Sequence, residues 1–193
     1  MSQDHPRVRL SLYDTPLRYG LVTRFLHWSI AVLMLWQFAG MTLKLVLGRV
    51  PVAAFFVGTH QKVGLILFGL IVLRLIWAGL NRHRRPDHGG GMRGLAARLG
   101  HLALYLAMLI VPGAALLRAY GSDKVFAPFG VAIFPAQEPP IGWMVTLGDL
   151  LHGEGAWLLL ALIAGHVAMV GLHEGMWRDG TLARMAGRPR RDP

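Results

Sequence analysis

Two histidines inside the last apolar segment, His152 and His166, are the residues whose type and spacing most clearly suggest chemistry. Their separation of 14 residues corresponds to roughly 21 Å of helix rise and about four helical turns. Both imidazoles would therefore face nearly the same way, close to opposite sides of a hydrocarbon layer about 30 Å thick. Neutral imidazole is a common metal ligand. This spacing predicts a helix that supplies one axial ligand to each of two haems.

Two further histidines, His27 and His60, lie early in the first and second apolar segments. If the chain crosses a membrane four times, His27 reaches the depth of His166, and His60 reaches the depth of His152. We therefore predict two bis-histidine haem sites stacked across a helical bundle. The alternative is that these are polar residues at the membrane interface. Zinc is disfavoured because its ligands converge on one point, whereas these lie at two levels roughly 21 Å apart.

The elements that must position these histidines are four long apolar runs. Of the 193 residues, 54% are hydrophobic and 16% are charged, and the apolar residues are bunched as in membrane spans. The pattern predicts a single-domain, all-α membrane protein, a four-transmembrane-helix bundle with polar tails at 1–16 and 178–193. The C-terminal tail is basic, and we expect it to fray. The predicted spans are 21–45, 52–80, 95–117 and 143–172. Thr15-Pro16 is predicted to start the first helix, Pro112-Gly113 to kink the third, and 118–141 to form a loop with one short interfacial helix.

Charge and cysteine content exclude several kinds of partner and cofactor. The net charge is +10, but the arginines adjoin the apolar runs, where they would meet anionic lipid headgroups rather than nucleic acid. The absence of cysteine excludes disulfides, iron–sulfur clusters and covalently attached c-type haem. The first apolar run is too long for a signal peptide and contains His27, so we expect a retained anchor.

Orientation follows from the distribution of arginine in short flanking segments. The two tails and the second connection would share one side, which carries Arg7, Arg9, Arg18, Arg24, Arg82, Arg84, Arg85, Arg93, Arg98, Arg178, Arg184, Arg188, Arg190 and Arg191. The other side carries fewer cations, which are offset by Asp123, Glu138 and Asp149: Lys44, Arg49, Lys62, Arg118 and Lys124. We therefore predict that both termini are cytoplasmic in a multi-pass protein of the bacterial inner membrane.

An intramembrane arginine, Arg74, lies 14 residues after His60, and so at the level of the deeper histidine pair. Such an arginine is costly in lipid and should have a partner, which a haem propionate would provide. The alternative is a side chain that snorkels to the headgroups, and Arg24 at similar depth could serve equally. A small residue lies one turn after His27, His60 and His152, and another lies directly before His166. These residues would leave room for a porphyrin, and the alternative is that they only allow close helix packing. They are Ala31, Gly64, Ala156 and Gly165.

Four stretches carry a resemblance to a known family. RYGLVTRFLHW, GTHQKVGLILFGLIVLRLIW, RLGHLALYLAMLIVPGAAL and LHGEGAWLLLALIAGHVAMVGLHEGMWRDGTLARM resemble the bacterial cytochrome b561 family, from about Tyr19 to Met185. The resemblance implies a four-helix membrane protein with two haems b, and the family's ligands match the same four histidines. The most similar branch contains superoxide:ubiquinone oxidoreductases. The segment before Leu17 and the 118–141 loop lie outside the close match, which leaves the electron donor open.

The resemblance implies electron transfer between a periplasmic donor, superoxide, and ubiquinone in the membrane. A quinone needs hydrogen-bonding groups near one haem, and His173, seven residues after His166, and His101 are candidates on the predicted cytoplasmic side. Both could instead be interface histidines. The periplasmic cations would steer a small anion, or merely contact headgroups. Two other functions stay open: a membrane anchor and electron relay for a periplasmic redox partner, and a structural or transport protein without haem.

Overall fold

Four long helices make up the bundle. We describe them from a computed structural model that covers residues 11–86 and 90–187. The helices are α1 (Leu21–Leu47), α2 (Pro51–Leu80), α3 (Gly91–Gly121) and α4 (Gly142–Leu172). Each is long and apolar enough to cross a membrane, and no strand occurs in the described residues beyond one isolated bridge. The predicted fold class, an all-α four-helix membrane protein, is confirmed. Five of the basic residues used for orientation lie outside the described residues: Arg7, Arg9, Arg188, Arg190 and Arg191.

The helix ends follow local chemistry. α1 stops where Gly48 takes a φ of 72° and donates its N–H to the carbonyl of Lys44 at 3.0 Å. α2 starts with Pro51, whose missing N–H costs nothing in the first turn. After α4 the chain makes a π-helical turn, His173–Trp177, reverses at Arg178 with a φ of 48°, and forms α5 (Thr181–Met185). α3 extends about one turn beyond the predicted span at each end.

Three local predictions were wrong. Thr15-Pro16 does not start α1, because the Asp14 carboxylate accepts the Gly20 N–H at 2.8 Å and delays the helix until Leu21. The 118–141 segment contains no interfacial helix: its first four residues extend α3, and a bridge between Phe126 and Phe134 shapes the rest. The C-terminal tail does not fray between 178 and 187, since it forms α5.

Close helix packing occurs within two hairpins. In the α1–α2 hairpin, a Cβ added to Gly40 would lie 2.6 Å from the Cβ of Phe56. In the α3–α4 hairpin, a Cβ on Gly148 would lie 2.6 Å from the Cβ of Arg118, so the two backbones approach each other directly. The hairpins meet more loosely, mainly through α2 and α3. A small buried cluster joins them: Ile30, Met34, Leu67, Ile71, Val111 and Leu159.

The two ends of the bundle differ. At the first, which we call the tail end, residues 11–20, the α2–α3 connection and α5 come together. There Asp14 is 2% exposed and pairs with Arg85 at 3.3 Å, while the Tyr19 N–H donates to the carbonyl of Arg184 at 3.4 Å. At the second, the loop end, lie the α1–α2 and α3–α4 connections. The apolar outer faces of the helices are largely exposed, as expected of side chains that contact lipid.

Candidate functional site

Two pairs of imidazole rings meet across the gap between the hairpins. His27 of α1 and His166 of α4 have ring centroids 6.4 Å apart and planes inclined by 74°. Nearer the loop end, His60 of α2 and His152 of α4 have centroids 5.9 Å apart and planes inclined by 80°. All four side chains are half-buried. The structure thus brings together the same pairs that depth in the membrane predicts.

The separation of the rings suits one metal ion between them. Two imidazoles on opposite sides of an ion, each with a metal–nitrogen distance of about 2.0–2.1 Å, have centroids about 6 Å apart. No group of three or more His, Cys, Asp or Glu side chains in the described part of the chain could hold a metal ion by itself. Two imidazoles facing each other, with no further ligand beside them in the described residues, are the donor set that a planar macrocycle such as haem would complete. The residues therefore fit haem.

The pair nearer the loop end has a defined tautomer on one side. His152 Nδ1 lies 3.0 Å from the backbone carbonyl of Val111, which can only accept, so Nδ1 carries the proton and Nε2 keeps its lone pair. Gly155, one turn on, permits this approach, because a Cβ there would lie 3.1 Å from a Val111 methyl group. Nδ1 of His60 is buried without a hydrogen-bond partner among the described residues. A buried ring nitrogen without a hydrogen bond costs free energy, so its presence is consistent with a site that holds a bound group.

The structure distinguishes the two arginines that the sequence treats as equivalent. Arg74 donates to the carbonyl of Thr23 at 3.4 Å and lies 5.8 Å from the centre of the Tyr105 ring. Its guanidinium therefore points into the bundle, between α1 and α3, at the level of His27. Arg24 instead lines a cavity of about 280 Å³ beside α5, and a Cβ on Gly187 would overlap its guanidinium. Of the two, Arg74 is better placed to contact a propionate.

The two remaining candidate histidines lie in different surroundings. His101 of α3 has its ring 5.6 Å from that of His166, so it lies on the closely packed side of the tail-end pair. His173 lies in the π-helical turn, with Nδ1 2.5 Å from a carboxylate oxygen of Asp179 and its ring 4.6 Å from that of Trp177. The guanidinium of Arg93 covers the Trp177 ring at 4.8 Å.

Sequence reasoning missed Asp179 as a partner of His173. The signal was that Asp179 is one of two aspartates in an otherwise basic tail and lies six residues after His173, and the predicted fraying of that tail hid it. Burial alone would raise the pKa of the Asp179 carboxyl, but hydrogen bonds from the Thr181 side chain, His173 and the Thr181 N–H lower that pKa below its ordinary value. Asp179 is therefore a carboxylate at neutral pH. By contrast, burial raises the pKa of the Tyr19 phenol despite nearby Arg85 and Arg184.

The loop end carries a set of exposed cations. Arg118 is paired with Asp149 at 2.5 Å, and both side chains are more than half exposed. The other cations there are also exposed: Lys44, Arg49, Lys62 and Lys124. Three exposed carboxylates at the same end, Asp123, Glu138 and Asp149, partly offset these five cations. The cations outnumber them, so this end keeps an excess of positive charge among the described residues.

Comparison with known proteins identifies one family. The family model described as prokaryotic cytochrome b561 matches residues 18–188. A protein of Escherichia coli (strain K12) named cytochrome b561 homolog 2 is 30% identical over 188 residues, which cover 95% of this chain and 98% of that protein. Cytochrome b561 homolog 1 of the same organism is 28% identical over 182 residues, covering 89% of this chain and 98% of its own.

Proposed function

We propose that this chain, which belongs to the prokaryotic cytochrome b561 family of membrane proteins that transfer electrons through haem b, holds two haems. We also propose that it passes electrons from superoxide to ubiquinone. The observation that supports the two haem sites in this proposal is the pair of imidazole contacts, with centroids 6.4 Å and 5.9 Å apart, at two levels of one bundle. The choice of superoxide and ubiquinone rests on the resemblance to the branch that contains superoxide:ubiquinone oxidoreductases. One haem would lie between His27 and His166, and the other between His60 and His152.

The role of the protein is to bind, orient and insulate these groups. When bound, haem supplies one-electron transfer. Two histidines would hold each haem, and a haem held by two imidazoles would favour electron transfer over oxygen binding. α4 contributes a ligand at each level and therefore sets their spacing at roughly 21 Å of helix rise. The looser contact between the hairpins supplies the space, and Arg74 supplies a positive charge beside the tail-end pair.

We place the quinone at the tail end, near His173 and His101. Reduction of ubiquinone to the quinol consumes two electrons and two protons, and imidazoles can donate protons near neutral pH. His101 lies against His166, and His173 lies seven residues after His166, in the π-helical turn that follows α4. Both are therefore close to the haem nearer the tail end in this proposal, as a quinone site requires.

We place the donor at the loop end. Superoxide is a small anion, and exposed cations raise the encounter rate of an anion through long-range attraction. Arg118 is paired with Asp149, and Asp123 and Glu138 weaken the field at this end. The remaining field would come from Lys44, Arg49, Lys62 and Lys124. In this orientation the loop end faces the periplasm of a bacterial inner membrane, and both termini face the cytoplasm, in agreement with the arginine distribution.

The decisive experiment is haem quantitation combined with turnover of the purified protein. We expect two haems per chain and reduction of added ubiquinone when superoxide is generated enzymatically. Superoxide dismutase should abolish the signal, and colourless protein would refute the proposal at once. If quinone reduction needs an added periplasmic redox protein, the chain is instead an electron relay and membrane anchor for that partner.

A further inference from the structure

We propose that Asp179 is a positioning residue that pairs with His173, so that this imidazole delivers protons to the quinone at the tail end. The inference rests on the proposed quinone reduction and adds to it a residue and a proton route. The pair is a carboxylate and an imidazole held in one short segment after α4.

The contact defines which nitrogen is available. His173 Nδ1 lies 2.5 Å from Asp179 Oδ2, and a carboxylate accepts, so Nδ1 carries a proton. The other ring nitrogen, Nε2, is then the one that can face a quinone oxygen. The two side chains are 25% and 29% exposed, which leaves the imidazole accessible at the surface of the bundle.

The backbone between the two residues holds them in place. The π-helical turn and the left-handed residue Arg178 reverse the chain, and the Asp179 N–H donates to the carbonyl of His173 at 3.3 Å. The second carboxylate oxygen of Asp179 accepts the N–H and hydroxyl of Thr181 at 3.0 Å and 2.6 Å. One oxygen thus anchors α5, and the other orients the imidazole. π-Helical turns occur frequently at functional sites.

The surroundings restrict the imidazole further. Trp177 meets the His173 ring edge-on at 4.6 Å, and Arg93 of α3 lies over Trp177. Glu174, in the same turn, is engaged by the Leu182 N–H at 2.8 Å. The charged groups around the imidazole are therefore Asp179, Glu174 and Arg93, and of these Asp179 makes the hydrogen bond to the ring.

The proton balance is simple. Two superoxide ions lose one electron each and leave as oxygen, and the quinone gains these two electrons and two protons to become the quinol. For each proton, His173 Nε2–H donates to a quinone oxygen, and water on the tail side returns a proton to the ring. Asp179 stabilises the imidazolium through Nδ1–H and holds the ring in one orientation, without itself taking the proton.

The test compares Asp179→Asn with Glu174→Gln in the full-length, haem-loaded protein. Haems are reduced first, decylubiquinone is added, and haem reoxidation is followed by stopped flow between pH 6 and 8.5. We expect D179N to keep its haem content and spectrum, to slow reoxidation by about 10–100-fold, and to shift the pH–rate profile toward lower pH, because an uncharged amide stabilises the imidazolium less. E174Q should match the wild type.

The outcomes separate the two proposals. If the wild-type protein does not reduce quinone, the proposed function fails. If it does, but D179N has the same rate and pH profile, the inference about Asp179 is wrong. Equal slowing in D179N and E174Q, with an unshifted profile, would show that Asp179 merely anchors α5, and would also overturn it. Partial rescue in Asp179→Glu would support the carboxylate role.

Discussion

The identity of the partner of His166 gives the sharpest test of the haem assignment, because two imidazoles lie against it. His101 is nearer by ring centroid, at 5.6 Å, than His27, at 6.4 Å. By distance alone, His101 would be the partner of His166. We choose His27, because α3 packs closely on α4, whereas His27 faces His166 across the gap between the hairpins.

The perturbation is His27→Ala, with His101→Ala as the matched control. We expect H27A to lower haem content from about two to about one per chain, because the loop-end pair, roughly 21 Å away along α4, is untouched. H101A should retain both haems. The assay is the pyridine haemochrome ratio to protein, with the low-temperature spectrum of the reduced protein to show which band is lost.

A rescue experiment shows whether H27A loses its haem because the ligand is missing or because the fold is disturbed. An imidazole added to the growth medium should restore the second haem in H27A if only the ligand is missing. If H101A loses one haem and H27A keeps both, His101 and not His27 is the partner of His166. If H27A and His60→Ala each lost both haems, the assignment of two independent haem sites at two levels would be wrong.

Three further predictions concern packing, pH and charge. Gly148→Ala should lower the free energy of unfolding by about 1–3 kcal/mol, because its Cβ meets Arg118 at 2.6 Å, while Gly153→Ala, with nothing within 4 Å, should not destabilise; thermal unfolding in detergent would compare them. Because hydrogen bonds lower the pKa of the Asp179 carboxyl in the folded protein, this carboxylate stabilises the tail at neutral pH, and the effect is lost only as the pH falls below the ordinary aspartate value of 3.8, so Trp177 fluorescence should change in that acidic range. Raising the salt concentration from about 10 mM to about 150 mM should slow haem reduction by superoxide, which is an anion, but not by an uncharged quinol, as rapid mixing would show; a superoxide rate that does not change with salt would exclude steering.

Sequence alone determined the helices and the depth of each polar residue within them. The thickness of the hydrocarbon layer sets how long an apolar run must be, and a constant rise per residue converts position along the chain into depth. For this reason the four spans were predicted to within about one turn, and His27 and His60 were assigned to the levels at which the structure places them against His166 and His152.

Tertiary structure alone decided how side chains face around each helix and where the chain reverses. Depth does not distinguish Arg74 from Arg24, yet one points into the bundle and the other toward α5. The start of α1 depends on a hydrogen bond from Gly20 to Asp14, and the His173–Asp179 pair depends on a reversal at Arg178. These features arise from contacts between segments distant in sequence or from rare backbone conformations, which periodicity and composition do not encode.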